Sequence, residues 1–165
     1  MIDLGETTMT RDEIDAYLRA PGRFAAVSSL RKDGSPFTIP MGYYYDGGHL
    51  YFSTTPTRGL TARLRRDPRV SVAVFDHEPI HGYVLVHTVA EEIEDPGDVL
   101  SMKMHRRYPK PGIEDQAEHD RIWLSAGRVV FRVSTSDAFG MDQRKASSSP
   151  YALAMPDHRP PTEPR

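Results

Sequence analysis

The apolar and polar positions of this chain change period several times, and each change marks an element. Ile14, Tyr17 and Leu18 follow at helical spacing behind Thr10-Arg11-Asp12-Glu13, a capping box, and Pro21-Gly22 ends the run. From residue 23 the period becomes two. Residues 23–30 lead into Lys32-Asp33-Gly34-Ser35, and residues 36–45 into Asp46-Gly47-Gly48, both with the Asp-Gly hairpin signal, so strands 23–30, 36–45 and 49–54 are predicted to form an antiparallel meander. Further strands are predicted at 69–75, 83–93 and 129–134, and helices at 98–108 and 114–125 around Pro109-Lys110-Pro111-Gly112. Short strands joined by hairpins, with helices inserted late, predict a mainly β fold closed into a small barrel, because strand edges must be paired or covered.

Between the strands ending at residue 54 and starting at residue 69 lies Thr54-Thr55-Pro56-Thr57-Arg58-Gly59-Leu60-Thr61-Ala62-Arg63-Leu64-Arg65-Arg66. It reads as a hydroxyl-rich turn running into a short arginine-studded helix. Threonine hydroxyls, the first free N–H groups of the helix and the positive end of its dipole join Arg58 and Arg63 in a place suited to phosphate. The alternative is an amphipathic surface helix with solvated arginines, Leu60 and Leu64 facing the core. Strand 36–45 is asymmetric: Phe37, Ile39, Met41, Tyr43 and Tyr45 share one face, Thr38, Pro40, Gly42 and Tyr44 the other. That second face is bare around Pro40 and Gly42, which suits close approach of a flat ring or, alternatively, an edge strand protected by proline.

Composition narrows the chemistry. At 165 residues the chain is most simply one domain with a proper core. With no cysteine, thiolate and disulfide chemistry are excluded. No apolar run approaches the roughly 20 residues of a membrane span, and no signal-peptide core opens the chain, so a soluble cytoplasmic protein with no membrane partner is expected. A net charge of −2 gives no global attraction to nucleic acid. Residues 146–165 hold five of the 14 prolines and read as an extended tail, which leaves residues 1–145 as the folded domain. The histidines at 49, 77, 81, 87, 105, 119 and 158 form no recognised metal motif, although a site on His77, His81 and His87 stays open. No Gly-x-Gly-x-x-Gly follows a strand and no Gly-x-Ser-x-Gly is present. Met102, Met104 and Trp123 are expected to pack, and either late helix can cover a pocket.

The order of elements, with FAAVSSLRKDGSPFTIPMGYYYDGGHLYFST, LRRDPRVSVAV, VAEEIEDP and SDAFGMDQRK, resembles the pyridoxamine 5′-phosphate oxidase-like split barrels, and more closely their flavin- and deazaflavin-dependent reductases, over about residues 9–145. The resemblance implies a six-stranded antiparallel split β-barrel with a few packed helices. It also implies a homodimer with its cofactor, F420 or alternatively FMN, at the interface. By the same resemblance Thr38, Ile39, Pro40 and Met41 support the ring, and Ser53, Thr54, Thr55, Arg58, Leu60, Thr61 and Arg63 surround the phosphate. Lys145, with Asp142 and Arg144, falls where it reaches the partner subunit's cofactor. Many relatives carry Lys where this chain has Leu60, Asn or Gln where it has Arg63, and a Trp-Asp pair near Phe139-Gly140-Met141-Asp142, so the phosphate grip is altered. The implied activity is hydride transfer between F420 and a small organic substrate, the cofactor carrying the difficult chemistry. No catalytic residue is singled out, Tyr44 and His87 being conceivable proton donors. The alternatives are an FMN-dependent flavin reductase or oxidase and a non-catalytic cofactor- or haem-binding protein of the same fold.

Overall fold

A computed structural model describes residues 4–76, 81–108 and 110–146 of the chain. The proline-rich tail from residue 147 and His77 therefore lie outside the described residues. The chain runs α1 (Leu4–Thr7), α2 (Arg11–Arg19), β1 (Phe24–Leu30), β2 (Pro36–Met41), β3 (Tyr44–Asp46), β4 (His49–Thr54), α3 (Gly59–Arg66), β5 (Arg69–Phe75), β6 (Gly82–Ile93), α4 (Val99–Arg107), α5 (Gln116–Ser125), β7 (Val129–Ser134) and β8 (Phe139–Asp142). Every strand pairing is antiparallel, in the order β2-β1-β5-β6-β7-β4-β3, with β8 also on β6.

The long strand β6 joins two half-sheets. Residues up to Val89 pair with β5, and from Ala90 the strand pairs with β7. The switch is fixed where Pro68, at the start of β5, takes the Ala90 N–H on its carbonyl at 2.7 Å. The sheet thus curls round a core of Val27, Val72, Val74, Val84 and Val86 from one half and Leu50, Phe52, Phe131 and Val133 from the other, all almost wholly buried. This is the split-barrel arrangement.

The capping box at α2 is formed: Glu13 N–H donates to the Thr10 hydroxyl, and Thr10 N–H to Glu13 Oε2 at 2.6 Å. Leu18 is buried beneath it, and Tyr17 donates its hydroxyl to the Gly82 carbonyl at 2.7 Å.

Among the described residues eight strands are present where the sequence pattern predicts six. The predicted strand 36–45 breaks at Gly42-Tyr43, so its two parts, β2 and β3, sit at opposite ends of the strand order. The cause is Tyr108, at the end of α4. Its hydroxyl accepts from Tyr43 N–H at 2.8 Å and donates to the Arg23 carbonyl at 2.8 Å, and a Cβ on residue 42 would lie 2.6 Å from its ring. The flat ring that approaches the bare backbone at Gly42 is therefore the chain's own. The additional strand β8 is short, and Gly140 within it allows Met9 and Ile14 to pack against the backbone. β2 is an edge strand, which accounts for Pro40: no ladder partner is lost on its open side.

Candidate functional site

One open cleft of about 730 Å³ lies where the end of β4, the following turn and the start of α3 face β2 and α5. Its apolar wall is Phe37, Ile39, Pro40 and Met41 from β2, with Leu60 beneath and Ile122 and Trp123 from α5 opposite. Its polar wall is Ser53, Thr54 and Thr55 together with three arginines, Arg58, Arg63 and Arg128.

The turn is built to present the helix start. The Thr61 hydroxyl, fully buried, donates back to the Thr55 carbonyl at 2.7 Å, and Arg58 N–H donates to the same carbonyl at 3.1 Å. Arg58 occupies the N-cap position in extended conformation, and among the described residues no side chain caps the helix, which leaves its first N–H groups open there. Gly59 lets Arg63 fold back over this end: a Cβ there would lie 3.0 Å from Arg63 Nη1. Arg63 is further fixed by its Nε donating to the Ser29 hydroxyl at 2.8 Å and by the Phe37 ring, whose centre is 4.3 Å from the guanidinium carbon. Arg128 stands across the cleft. Its Nε donates to the Ser53 hydroxyl at 2.9 Å, and its guanidinium lies 3.7 Å over the centre of the Trp123 ring.

The electrostatics are one-sided. Arg65 pairs with Glu92 at 2.7 Å and Arg69 with Asp67 at 2.7 Å, both away from the cleft. Among the described residues Arg58, Arg63 and Arg128 have no salt bridge. Burial lowers the Arg63 pKa, helped by the charges of Arg31 and Arg66; burial likewise lowers that of Arg128, helped by Arg58 and opposed by the negative charge of Asp98. Guanidinium stays charged regardless, so the cleft concentrates positive charge against an apolar floor. An anionic group on a flat, mostly apolar ligand answers both walls.

The structure brings together nine of the twelve residues expected at the site: Ile39, Pro40, Met41, Ser53, Thr54, Thr55, Arg58, Leu60 and Arg63. Three stand elsewhere. The Thr38 hydroxyl meets that of Ser28 at 2.7 Å, and it is the Phe37, Ile39 and Met41 side of β2 that turns to the cleft, joined from the bare side by Pro40 alone among the described residues. Thr61 holds the turn from beneath. Lys145 Nζ donates to the Thr8 carbonyl and to Glu13 Oε2, both at 2.7 Å, which ties the end of the described chain to α2 and holds the Glu13 carboxyl below its ordinary pKa. Asp142 pairs with Arg144 at 2.6 Å. Tyr44 lies beside Tyr51, and His87 is exposed on β6; neither lines the cleft.

Trp123 and Arg128 also line the cleft, although the sequence did not mark them for it. The signal available was the single tryptophan on a helix able to cover a pocket and an arginine directly after Gly127, whose φ of 68° reverses the chain into β7. The histidines also group differently from the sequence reading. His105 Nε2 lies 3.1 Å from His119 Nδ1 and 3.1 Å from Asp120 Oδ1, while His81 is buried and His87 exposed.

The comparisons with known proteins agree with this architecture. No curated protein matches the sequence. Among solved structures, a conserved hypothetical protein from Mycobacterium tuberculosis is 24% identical with a TM-score of 0.69, covering 85% of this chain and 89% of its own. An F420 reductase is 26% identical with a TM-score of 0.59, covering 73% of this chain and 90% of its own. An FAD-binding protein from Mesorhizobium loti is 29% identical with a TM-score of 0.54, covering 81% and 94%. Among the described residues no helix is long and apolar enough to cross a membrane. The family model for pyridoxamine 5′-phosphate oxidase matches residues 10–140, and the chain belongs to that family.

Proposed function

We propose that this protein is an oxidoreductase that transfers a hydride between the deazaflavin F420, held in the cleft, and a small organic substrate. The observation that carries the reading is the group of three guanidinium ions that make no salt bridge among the described residues, set on the polar wall of a cleft whose facing wall is apolar. Such a site, with Arg63 and Arg128 half-buried and Arg58 exposed at the helix start, is complementary to a phosphate-bearing ligand with a flat ring. In this reading Arg58, Arg63 and the start of α3 hold the phosphate. Ile39, Pro40 and Met41 support the ring, and Ile122 and Trp123 keep water from it. The bound cofactor supplies the hydride chemistry, and the protein supplies binding and orientation. The F420 reductase among the similar structures supports this occupant. The FAD-binding relative makes flavin, FMN above all, the second reading. The proposal includes a homodimer in which a second copy covers the open side of the cleft, where Ile122 is 57% exposed.

The test is single-turnover reoxidation. Protein loaded with reduced F420 or reduced FMN is mixed with menadione, and the return of absorbance near ~420 or ~450 nm is followed. Faster reoxidation on the protein than for the free cofactor is expected with F420. Equal rates for bound and free forms of both cofactors would remove the enzymatic reading.

A further inference from the structure

Beside the cofactor cleft lies a second one of about 330 Å³, and the two share Ser53, Trp123 and Arg128 as a common wall. Its sides are aromatic. Phe24 and Tyr108 stack with ring centres 4.6 Å apart, and Trp123 is stacked on His105 at 4.5 Å. Among the described residues its charged groups are Lys110 and Arg128, and no carboxylate lines it. Asp120, which meets His105, is taken by Arg106 at 2.8 Å and by Gln116 at 2.7 Å. Lys110 makes no hydrogen bond or ion pair among the described residues, and Arg128 uses only its Nε, leaving both Nη nitrogens without a partner there.

A half-buried guanidinium with its terminal nitrogens unsatisfied, pinned by a serine and an indole so that its fork cannot turn away, is preorganised for a bidentate carboxylate. Lys110 adds a second positive charge, and the stacked rings admit a flat body. The volume lies near the lower end of the roughly 300–1,000 Å³ of small-molecule sites, which suits one or two rings. The geometry points to this second cleft as the seat of the organic substrate, and to a planar aromatic carboxylate as its class. Calling the occupant a substrate rests on the hydride-transfer reading above; the anion site itself does not.

The lone tryptophan, Trp123, reports on the wall directly. The cofactor-free protein is titrated with 4-nitrobenzoate and with its neutral isostere 4-nitrobenzamide, following quenching of Trp123 fluorescence. The carboxylate is expected to bind at least about tenfold more tightly than the amide, as one charge-assisted contact provides. Arg128→Gln removes most of that preference, Lys110→Gln, at an exposed position outside the larger cleft, lowers it in part, and Arg58→Ala, confined to the larger cleft, retains it. Equal affinity for acid and amide would overturn the assignment. So would a preference abolished by Arg58→Ala and untouched by Lys110→Gln, which would put the carboxylate in the cofactor cleft. Titrating the same preparations with F420 separates the two readings. Cofactor binding without a carboxylate preference overturns this inference alone, whereas a preference without cofactor binding retains the anion site and removes the proposed activity.

Discussion

Gly42→Ala tests how the sheet is broken to make room for the site. The added Cβ would meet the Tyr108 ring at 2.6, 3.0 and 3.3 Å, contacts too short to keep. The ring cannot simply swing out, because its hydroxyl bridges Tyr43 N–H and the Arg23 carbonyl and its face stacks on Phe24. Moving it sacrifices two hydrogen bonds at about 1 kcal/mol each and an aromatic pair at about 0.5–1.5 kcal/mol, in total about 2.5–3.5 kcal/mol. For a chain of this size that is a fall in Tm of roughly 5–10 °C. The assay is urea denaturation of a double-mutant cycle. Tyr108→Ala removes the ring that the methyl would strike, so Gly42→Ala on that background costs almost nothing further, and the coupling energy nearly equals the cost of Gly42→Ala alone. Strictly additive losses, or a Gly42→Ala variant as stable as the parent, would refute the reasoning.

Thr61→Val leaves the Thr55 carbonyl with one donor fewer and should cost about 1 kcal/mol of stability by urea denaturation, while F420 affinity, read by titration, changes less than about threefold, since Thr61 supports the turn from beneath the cleft. His105 is held below its ordinary pKa of 6.5 by burial first and then by the charges of His119 and Lys110. The unfolded state therefore takes up the proton first, and stability present above about pH 6.5 is lost as the pH falls toward the folded value. His105→Gln should remove that limb of the stability–pH curve and leave the acid limb below roughly pH 4, where Asp142 and Asp120, held below their ordinary values in the fold, are protonated.

The two hairpins and the capped helix α2 were legible because local chemistry dictates them: Asp-Gly turns and a Thr-x-x-Glu box act over a few residues. The break inside 36–45 was not, because its cause, Tyr108, lies 65 residues away from Tyr43 in sequence. For the same reason alternation alone identified two faces of β2 without telling which one meets the cleft; the long-range placement of α3 and α5 decides that. Arg58 and Arg63 were readable from the turn-helix pattern, being local to it. Arg128 was invisible because its role depends on Ser53 and Trp123, brought to it by two other elements. Lys145, one of the four lysines, drew attention by its place in a family-like segment, but its charge is taken by Glu13 across the fold.

In the proposed function Arg58 and Arg63 hold the cofactor phosphate. Titration of the wild-type protein and of Arg58→Ala/Arg63→Ala with F420 and with FMN, following ligand fluorescence, tests it most directly. Charge-assisted contacts of this kind contribute roughly 1.5–3 kcal/mol each, so each arginine lost should raise Kd by about one to two orders of magnitude, with F420 bound more tightly than FMN by the wild type. A double variant that binds as tightly as wild type, or a wild-type protein that binds neither cofactor, would contradict the account.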